Sequence, residues 1–288
     1  MTSQKPIAVG TNDSAQSQAA VLWAARRAHR AGQPLVIVHV VDDRWVAEPY
    51  PWFGTLQQAG EELLKTAAGR LEGSVPVTPA TLLLTGSVGG QLAKFSKKAS
   101  MMVIGSGSGH LGGALADRAL QVATAAKVPV AVIGTQDLEA RSGVVVGVDG
   151  SAEATQAVAF AAAEADRDGD ELTVVYAVNA PDPVIDAGLT PAALADLIVD
   201  EERVVLSETV AGLKEDYPDL TVHQRLESDK GAVDALVDAA AGARLLVVGS
   251  RGRGAFKRLL LGSTAHGVLK HLPCPTIITR TDAVQGTI

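Results

Sequence analysis

The chain contains two copies of one pattern. Ile7–Ser14 (IAVGTNDS) matches Val144–Ser151 (VVVGVDGS) at an offset of 137 residues. The match runs on without a gap through Ala20–Ala25 (AVLWAA) against Ala157–Ala162 (AVAFAA), and through Leu35–Val40 (LVIVHV) against Leu172–Ala177 (LTVVYA). Further on, Val103–Ser106 (VIGS) pairs with Val247–Ser250 (VVGS), and Val128–Ile133 (VPVAVI) with Cys274–Ile278 (CPTII), aligned on Pro129 and Pro275. An internal repeat of this length constrains the architecture before any local propensity is considered. It divides the 288 residues into two domains, 1–136 and 142–288, joined by the polar stretch Gln136–Ser142.

Each copy reads as alternating strands and helices. Short apolar strands are expected at Ile7–Val9 and Val144–Val148, each ending in a polar turn with a serine. Ala-rich helices follow over Gln16–Ala31 and Ala152–Asp168, stopped by Gly32 and Gly169. Second strands are expected at Leu35–Val41 and Leu172–Val178, then helices over Leu56–Leu71 and Pro191–Leu213. Third strands fit Val77–Leu84 and Leu220–Leu226, and helices fit Val88–Ala99 and Ala232–Ala241. Met101–Ile104 and Leu245–Val248 read as fourth strands, each leading through a Gly-rich loop to a last helix and a fifth strand. The first, second and fourth strands read as apolar runs and not as alternating patterns, as expected when both faces of a parallel sheet are covered. The expected fold is therefore α/β, with two tandem three-layer α/β/α domains. Each would hold a five-stranded, mostly parallel, Rossmann-like sheet. Ligands of such sheets bind beyond the carboxyl ends of the strands, where strand order reverses.

Composition narrows the function. Hydrophobic residues are 47% of the chain and aromatics only 3%, so the core is built from Ala, Val, Leu and Ile. No apolar run approaches the roughly 20 residues of a membrane span, and Met1–Pro6 does not resemble a signal peptide. The single cysteine, Cys274, excludes an intrachain disulfide and reads as a small buried residue. A cytoplasmic location is expected. The net charge of −7 argues against general nucleic-acid binding. Residues 1–135 hold 12 basic and 8 acidic side chains, and the rest hold 13 and 24. This asymmetry fits either solvated faces or attraction between halves or chains.

Within the acidic second half, one loop is basic. Gly249 to Ser263 reads GSRGRGAFKRLLLGS and carries Arg251, Arg253, Lys257 and Arg258. Glycines let a backbone approach a ligand, and successive amides make an anion nest. Gly262 and Ser263 stand before an expected helix, Thr264–His271, whose amino end suits a phosphate. The same loop also fits a flexible turn with solvated arginines.

The spacing Gly249-x2-Gly252-x9-Gly262-Ser263 resembles the ATP-binding signature of the universal stress protein family. The VGVDGS opening and CPTII closing segments are similar to that family as well, and the resemblance covers almost the whole chain. It implies an ATP-binding regulator of stress responses, with Mg2+ as counter-ion and the HUP variant of the Rossmann-like fold. It further implies that Asp149 and Ala177, with Gly150 and Ser151 beside them, serve the adenine and ribose end. Gly249, Arg251, Gly252, Arg253, Gly262, Ser263 and Thr264 would serve the phosphates. The family pairs domains through their last strands, so the resemblance also implies an internal pseudo-dimer and allows a homodimer.

The first copy departs from this signature. Asn12 stands at the place of Asp149, with Asp13 adjacent, and Val40 stands at the place of Ala177. Its loop has Gly105 and Gly107, but Ser108 replaces Gly252, and Ala116-Asp117 falls where Gly262-Ser263 stands. A carboxylate at a phosphate position repels the ligand; at 4 Å and an effective dielectric near 20 that is about 4 kcal/mol. A weaker first site is expected, unless a shifted loop still binds.

Other chemistries find less support. Gly107-x-Gly109-x2-Gly112 matches a dinucleotide fingerprint but follows the fourth strand instead of the first. The chain has no P-loop and no nucleophile elbow. The histidines form no metal pair, and His39 reads as structural. The acidic run Asp200–Glu202 reads as a solvated helix face. The aromatic stretch Arg44–Phe53 (with Trp45, Tyr50 and Trp52) fits a lid or a partner surface, and Ala180–Leu189 a cover over the second site. A slow ATPase or nucleotidyl transferase using Asp149, and a nucleotide-independent scaffold, are the alternative functions.

Overall fold

A computed structural model describes residues 4–43, 53–107, 116–178, 191–253 and 261–280. The chain divides between Gln136 and Asp137 into two compact units. The first unit runs β1 (Ile7–Gly10), α1 (Ala15–Arg30), β2 (Leu35–Val41), α2 (Phe53–Gly69), β3 (Ala80–Thr85), α3 (Val88–Ser96), β4 (Met101–Gly105), α4 (Ala116–Ala125) and β5 (Val130–Ile133). Its strand order is β3-β2-β1-β4-β5, with these neighbours parallel.

The second unit runs β6 (Val144–Val148), α5 (Ala152–Asp168), β7 (Leu172–Ala177), α6 (Pro191–Val210), α7 (Leu213–Asp216) and β8 (Val222–Glu227). It ends with α8 (Ala232–Ala239), β9 (Leu245–Gly249), α9 (Ser263–His271) and β10 (Thr276–Thr279). Its order is β8-β7-β6-β9-β10, again parallel between these neighbours. The expected fold class is what the structure has. In both units order reverses at the first strand: the chain winds outward through β2 or β7, then returns to the other side of β1 or β6. The turns after the first and fourth strands therefore flank one crevice.

Packing explains the composition. The central strands are fully buried, as at Ile7, Val9, Ile37, Val146, Val174 and Val247. The helices covering them present alanines: Ala20, Ala24 and Ala25 on α1, and Ala157, Ala161, Ala162 and Ala165 on α5, are all 0% exposed. Small residues at this spacing form one apolar stripe and let a helix axis lie close to a sheet of Val and Ile. At one point the approach leaves no room for a side chain. A Cβ on Gly105 would lie 2.7 Å from the backbone carbon of Gln16, so the end of β4 lies against the first turn of α1.

Several expected boundaries are corrected, among them the start of α2, at Phe53 and not Leu56, and the end of α3, at Ser96 and not Ala99. β3 begins at Ala80, not Val77, because Pro79 has no N–H to give the ladder. β8 begins at Val222, not Leu220, although Leu220 is still buried. The long helix after β7 ends at Val210, and α7 restarts past Gly212, a residue that weakens helices by about 1 kcal/mol relative to alanine. Among the described residues, no helix is long and apolar enough to cross a membrane.

Cys274 is 0% exposed, and burial pushes its thiol up to about 12. Only the thiolate is nucleophilic, so we expect native protein to resist iodoacetamide at pH 8 and to be alkylated once unfolded; fast native labelling would contradict this burial. The linkage has a definite sign. A thiol that ionises near 9 when unfolded and near 12 when folded contributes stability that is full below pH 9 and lost as pH rises toward 12. In Cys274→Ala, that part of the alkaline loss should vanish from pH-dependent urea titrations.

Candidate functional site

The second unit's crevice is built on the turn after β6. Gly150 takes φ 72, a left-handed conformation that glycine adopts without strain. Ser151 then caps α5, accepting the Ala154 N–H at 3.2 Å. Asp149 locks the turn: its Oδ1 accepts the Ser151 N–H at 3.0 Å and the Ser151 hydroxyl at 2.6 Å. Its Oδ2 accepts the Arg253 N–H at 2.7 Å, which ties the loop after β9 to the turn after β6. Ser151→Ala should lower stability by about 1 kcal/mol through the lost cap. It also removes a donor from Asp149, so the second unit's ligand affinity should fall with it; thermal melts and titrations of the same variant check both.

The loop after β9 crosses over this turn. A Cβ on Gly252 would lie 2.2 Å from Asp149 Oδ2, so only glycine fits the crossing. The Gly262 N–H donates to the Ser250 carbonyl at 2.8 Å, which brings the far end of the loop back to β9 and starts α9 at Ser263. The N-cap residue, Gly262, has no side chain to cap that first turn. Gly262, Ser263, Thr264 and Ala265 line the crevice, so the positive end of the α9 dipole lies at its wall.

These elements enclose a cavity of about 490 Å³. The residues expected at a phosphate end, Gly249, Arg251, Gly252, Arg253, Gly262, Ser263 and Thr264, all stand on its walls. Asp149 and Ala177 line it as well, while Gly150 and Ser151 lie behind Asp149 in the turn. Lys257 and Arg258 fall outside the described residues, as do Trp45, Tyr50, Trp52 and the segment Ala180–Leu189. The volume is that of a typical small-molecule site, roughly 300–1,000 Å³. Among the described residues, no group of three His, Cys, Asp or Glu side chains could hold a metal ion.

Two wall residues were not singled out in the sequence. Tyr176, at the end of β7, donates its hydroxyl to Glu202 of α6. Arg253 Nη1 donates to the same hydroxyl at 3.1 Å and lies 3.4 Å from Glu202 Oε1. Burial, reinforced by the Glu202 hydrogen bond, pushes the phenol well above its ordinary value, so Tyr176 stays protonated at physiological pH. The expectation that Asp200–Glu202 is wholly solvated is thus corrected at Glu202: it faces the crevice, while its neighbours Asp200 and Glu201 are exposed. The basic loop is also less free than its sequence suggests, since Arg251 pairs with Glu153 at 3.4 Å and Arg253 with Glu202.

The first unit repeats the scaffold with other chemistry. Asn12 Oδ1 accepts the Ser14 N–H at 3.2 Å and the Ser14 hydroxyl at 2.7 Å, reproducing the role of Asp149 toward Ser151 without the charge. Asp13 occupies the left-handed position of Gly150, with φ 62. It pairs with Arg70, whose guanidinium holds its carboxyl below the usual range. His39 stands where Tyr176 stands and donates Nδ1–H to the Thr11 carbonyl at 2.8 Å, consistent with a structural role. Val40 is buried near the end of β2, Gly105 ends β4, and Gly107 follows it with φ 77. Ser108 and the side chain of Asp117 fall outside what the structure describes.

A sequence profile of the universal stress protein family matches residues 4–134 and again 142–280. The chain belongs to the universal stress protein family. A universal stress protein of Mycolicibacterium smegmatis is 34% identical over 290 residues, covering 95% of this chain and 96% of that protein. A universal stress protein of Mycobacterium tuberculosis is 33% identical over 292 residues, covering 96% and 97%. In fold, the chain is similar to the crystal structure of a universal stress protein from Archaeoglobus fulgidus, with a TM-score of 0.68 at 20% identity and coverage of 96% and 97%. These alignments span nearly the whole of this chain and of each of these proteins.

Proposed function

We propose that the second unit binds ATP, carried with Mg2+, and that nucleotide state sets the conformation or partner choice of a cytoplasmic stress-response regulator. One observation supports this above the others. Gly252, just after β9, crosses Asp149 with no space for a side chain, and the first turn of α9, with glycine at its N-cap, lines the same cavity. Backbone amides at a helix start suit a phosphate. The neighbouring wall, with Ala177, Val148 and Val175, is apolar and suits a planar base. Asp149 and Ala177 would hold the nucleoside end, with Gly150 and Ser151 shaping the turn that positions Asp149. Gly249, Arg251, Gly252, Arg253, Gly262, Ser263 and Thr264 would hold the phosphates. The first unit is the weaker site, because Asp13, paired with Arg70, stands at the position where Gly150 makes room for the Arg253 guanidinium, and Asn12 lacks the charge of Asp149.

Isothermal titration with ATP and Mg2+ tests the proposal, together with mass spectrometry of the denatured protein for co-purified nucleotide. One dominant site is expected, retained when Asn12 and Asp13 are substituted and weakened when Gly252 is. No heat, no thermal shift and no bound nucleotide would leave the scaffold alternative standing. Regulation further requires that ATP bind two conformations unequally, so limited proteolysis patterns with and without ATP should differ.

A further inference from the structure

We infer that Arg253 is the residue that distinguishes nucleoside phosphates from nucleosides in this crevice, and that Glu202 masks it until a phosphate competes. The inference rests on the reading that the crevice takes a nucleotide. The geometry that carries it is a three-element junction. Arg253 is anchored by its backbone, through its N–H to Asp149 Oδ2 at 2.7 Å. Its guanidinium lies apart from that anchor, against Tyr176 of β7 and Glu202 of α6. A Cβ on Gly150 would lie 2.2 Å from Nη2, so the guanidinium occupies space that exists only because residue 150 is glycine. In the first unit that position is Asp13, and it holds a different arginine, Arg70.

The two ends of the pair are unequally free. The Arg253 side chain is 49% exposed and the Glu202 side chain 23%. Glu202 is fixed from behind by the Tyr176 hydroxyl, which donates to Oε2. The guanidinium contacts Glu202 at 3.4 and 3.5 Å, long for charge-assisted hydrogen bonds. A half-exposed pair of this length is weak. A polyphosphate offers more negative charge and a planar, bidentate match to the guanidinium. Arg253 can therefore leave Glu202 for a bound phosphate while its backbone stays on Asp149. Glu202 then remains beside Tyr176, and α6 loses its ionic tie to the loop after β9.

The test is a double-substitution cycle read with two probes, ATP with Mg2+ and adenosine. Arg253→Gln should weaken ATP roughly tenfold and leave adenosine unchanged, the usual worth of one charge-assisted contact. Glu202→Gln should tighten ATP roughly fivefold, again without effect on adenosine, since a competitor for Arg253 is gone. The deciding measurement is the double variant. If Glu202 acts through Arg253, Glu202→Gln adds nothing once Arg253 is Gln. If it acts only as a nearby negative charge, the same gain persists in that background and the masking role is wrong. Equal changes for adenosine and ATP would likewise overturn it. Failure of the wild-type chain to bind either probe would instead overturn the nucleotide reading on which this rests. Tyr176→Phe, which removes the group holding Glu202 in place, should reproduce part of the Glu202→Gln gain, and melting temperatures of all variants report whether each is folded.

Discussion

Gly252→Ala is expected to weaken ATP binding by about tenfold to a hundredfold while leaving the fold intact. The added Cβ would stand 2.2 Å from Asp149 Oδ2, well inside contact distance. Asp149 cannot simply swing away, because its carboxylate holds three donors: the Ser151 N–H, the Ser151 hydroxyl and the Arg253 N–H. Either that set breaks or the loop lifts from the turn after β6. Both outcomes displace Arg253 and widen the wall shared by the two segments. Gly242 supplies the control, because a Cβ there meets nothing within 4 Å. Titration calorimetry on Gly252→Ala, Gly242→Ala and the wild-type chain is the measurement. Equal affinities for all three would show that the crossing at Asp149 has no part in the site.

Arg244→Ala is expected to lower stability by about 3 kcal/mol, far from the crevice and without a direct effect on ligand contacts. Arg244 stands just before β9. Its Nη1 lies 2.5 Å from Asp168 at the end of α5, and its Nε donates to Asp170 Oδ2 at 2.5 Å. Asp170 Oδ1 in turn accepts the Gly143 N–H at 3.0 Å, and the Arg244 N–H donates to the Gly143 carbonyl at 3.0 Å. One guanidinium therefore joins the entries to β6, β7 and β9. The Asp168 and Asp170 side chains are 8% and 13% exposed, so removing the arginine takes a cation away from both carboxylates where little water can replace it. Losing the cation of a buried ion pair costs more than the pair contributes. Urea unfolding should show the loss, and a triple variant with Arg244→Met, Asp168→Asn and Asp170→Asn should recover most of it. A single substitution no more harmful than an ordinary surface change would refute this account.

The two predictions differ in how far the sequence foretold them. Gly252 is legible because its spacing from Gly249 and Gly262, after an apolar strand, resembles the family's nucleotide-binding signature. Arg244, Asp168 and Asp170 give no such sign. They are 74 and 76 residues apart in a chain rich in charge, and only the sheet order, which places β9 beside β6 and β6 beside β7, brings them together. Glu202 shows the same limit. On α6 it follows Asp200 and Glu201, and nothing in that run says which acid turns inward. The turn in the first unit was half legible: the gap-free alignment set Asn12 on Asp149, and the matching hydrogen bonds to Ser14 and Ser151 agree. That Asp13 inherits Gly150's left-handed backbone follows from the alignment only once Gly150's own conformation is known.

By itself the sequence determined the duplication, the α/β alternation, the position of nearly every strand and helix, and the loop that borders the crevice. These depend on local periodicity and on glycine, proline and serine at turns, whose effects reach only a few residues along the chain. Tertiary structure decided which charges meet. It set Tyr176 and Glu202 against Arg253, and gave the first unit an Asp13–Arg70 pair where the second places the Arg253 guanidinium beside Gly150. Such pairings depend on distances between side chains carried by different elements, and those distances are set by how the sheet and its covering helices pack.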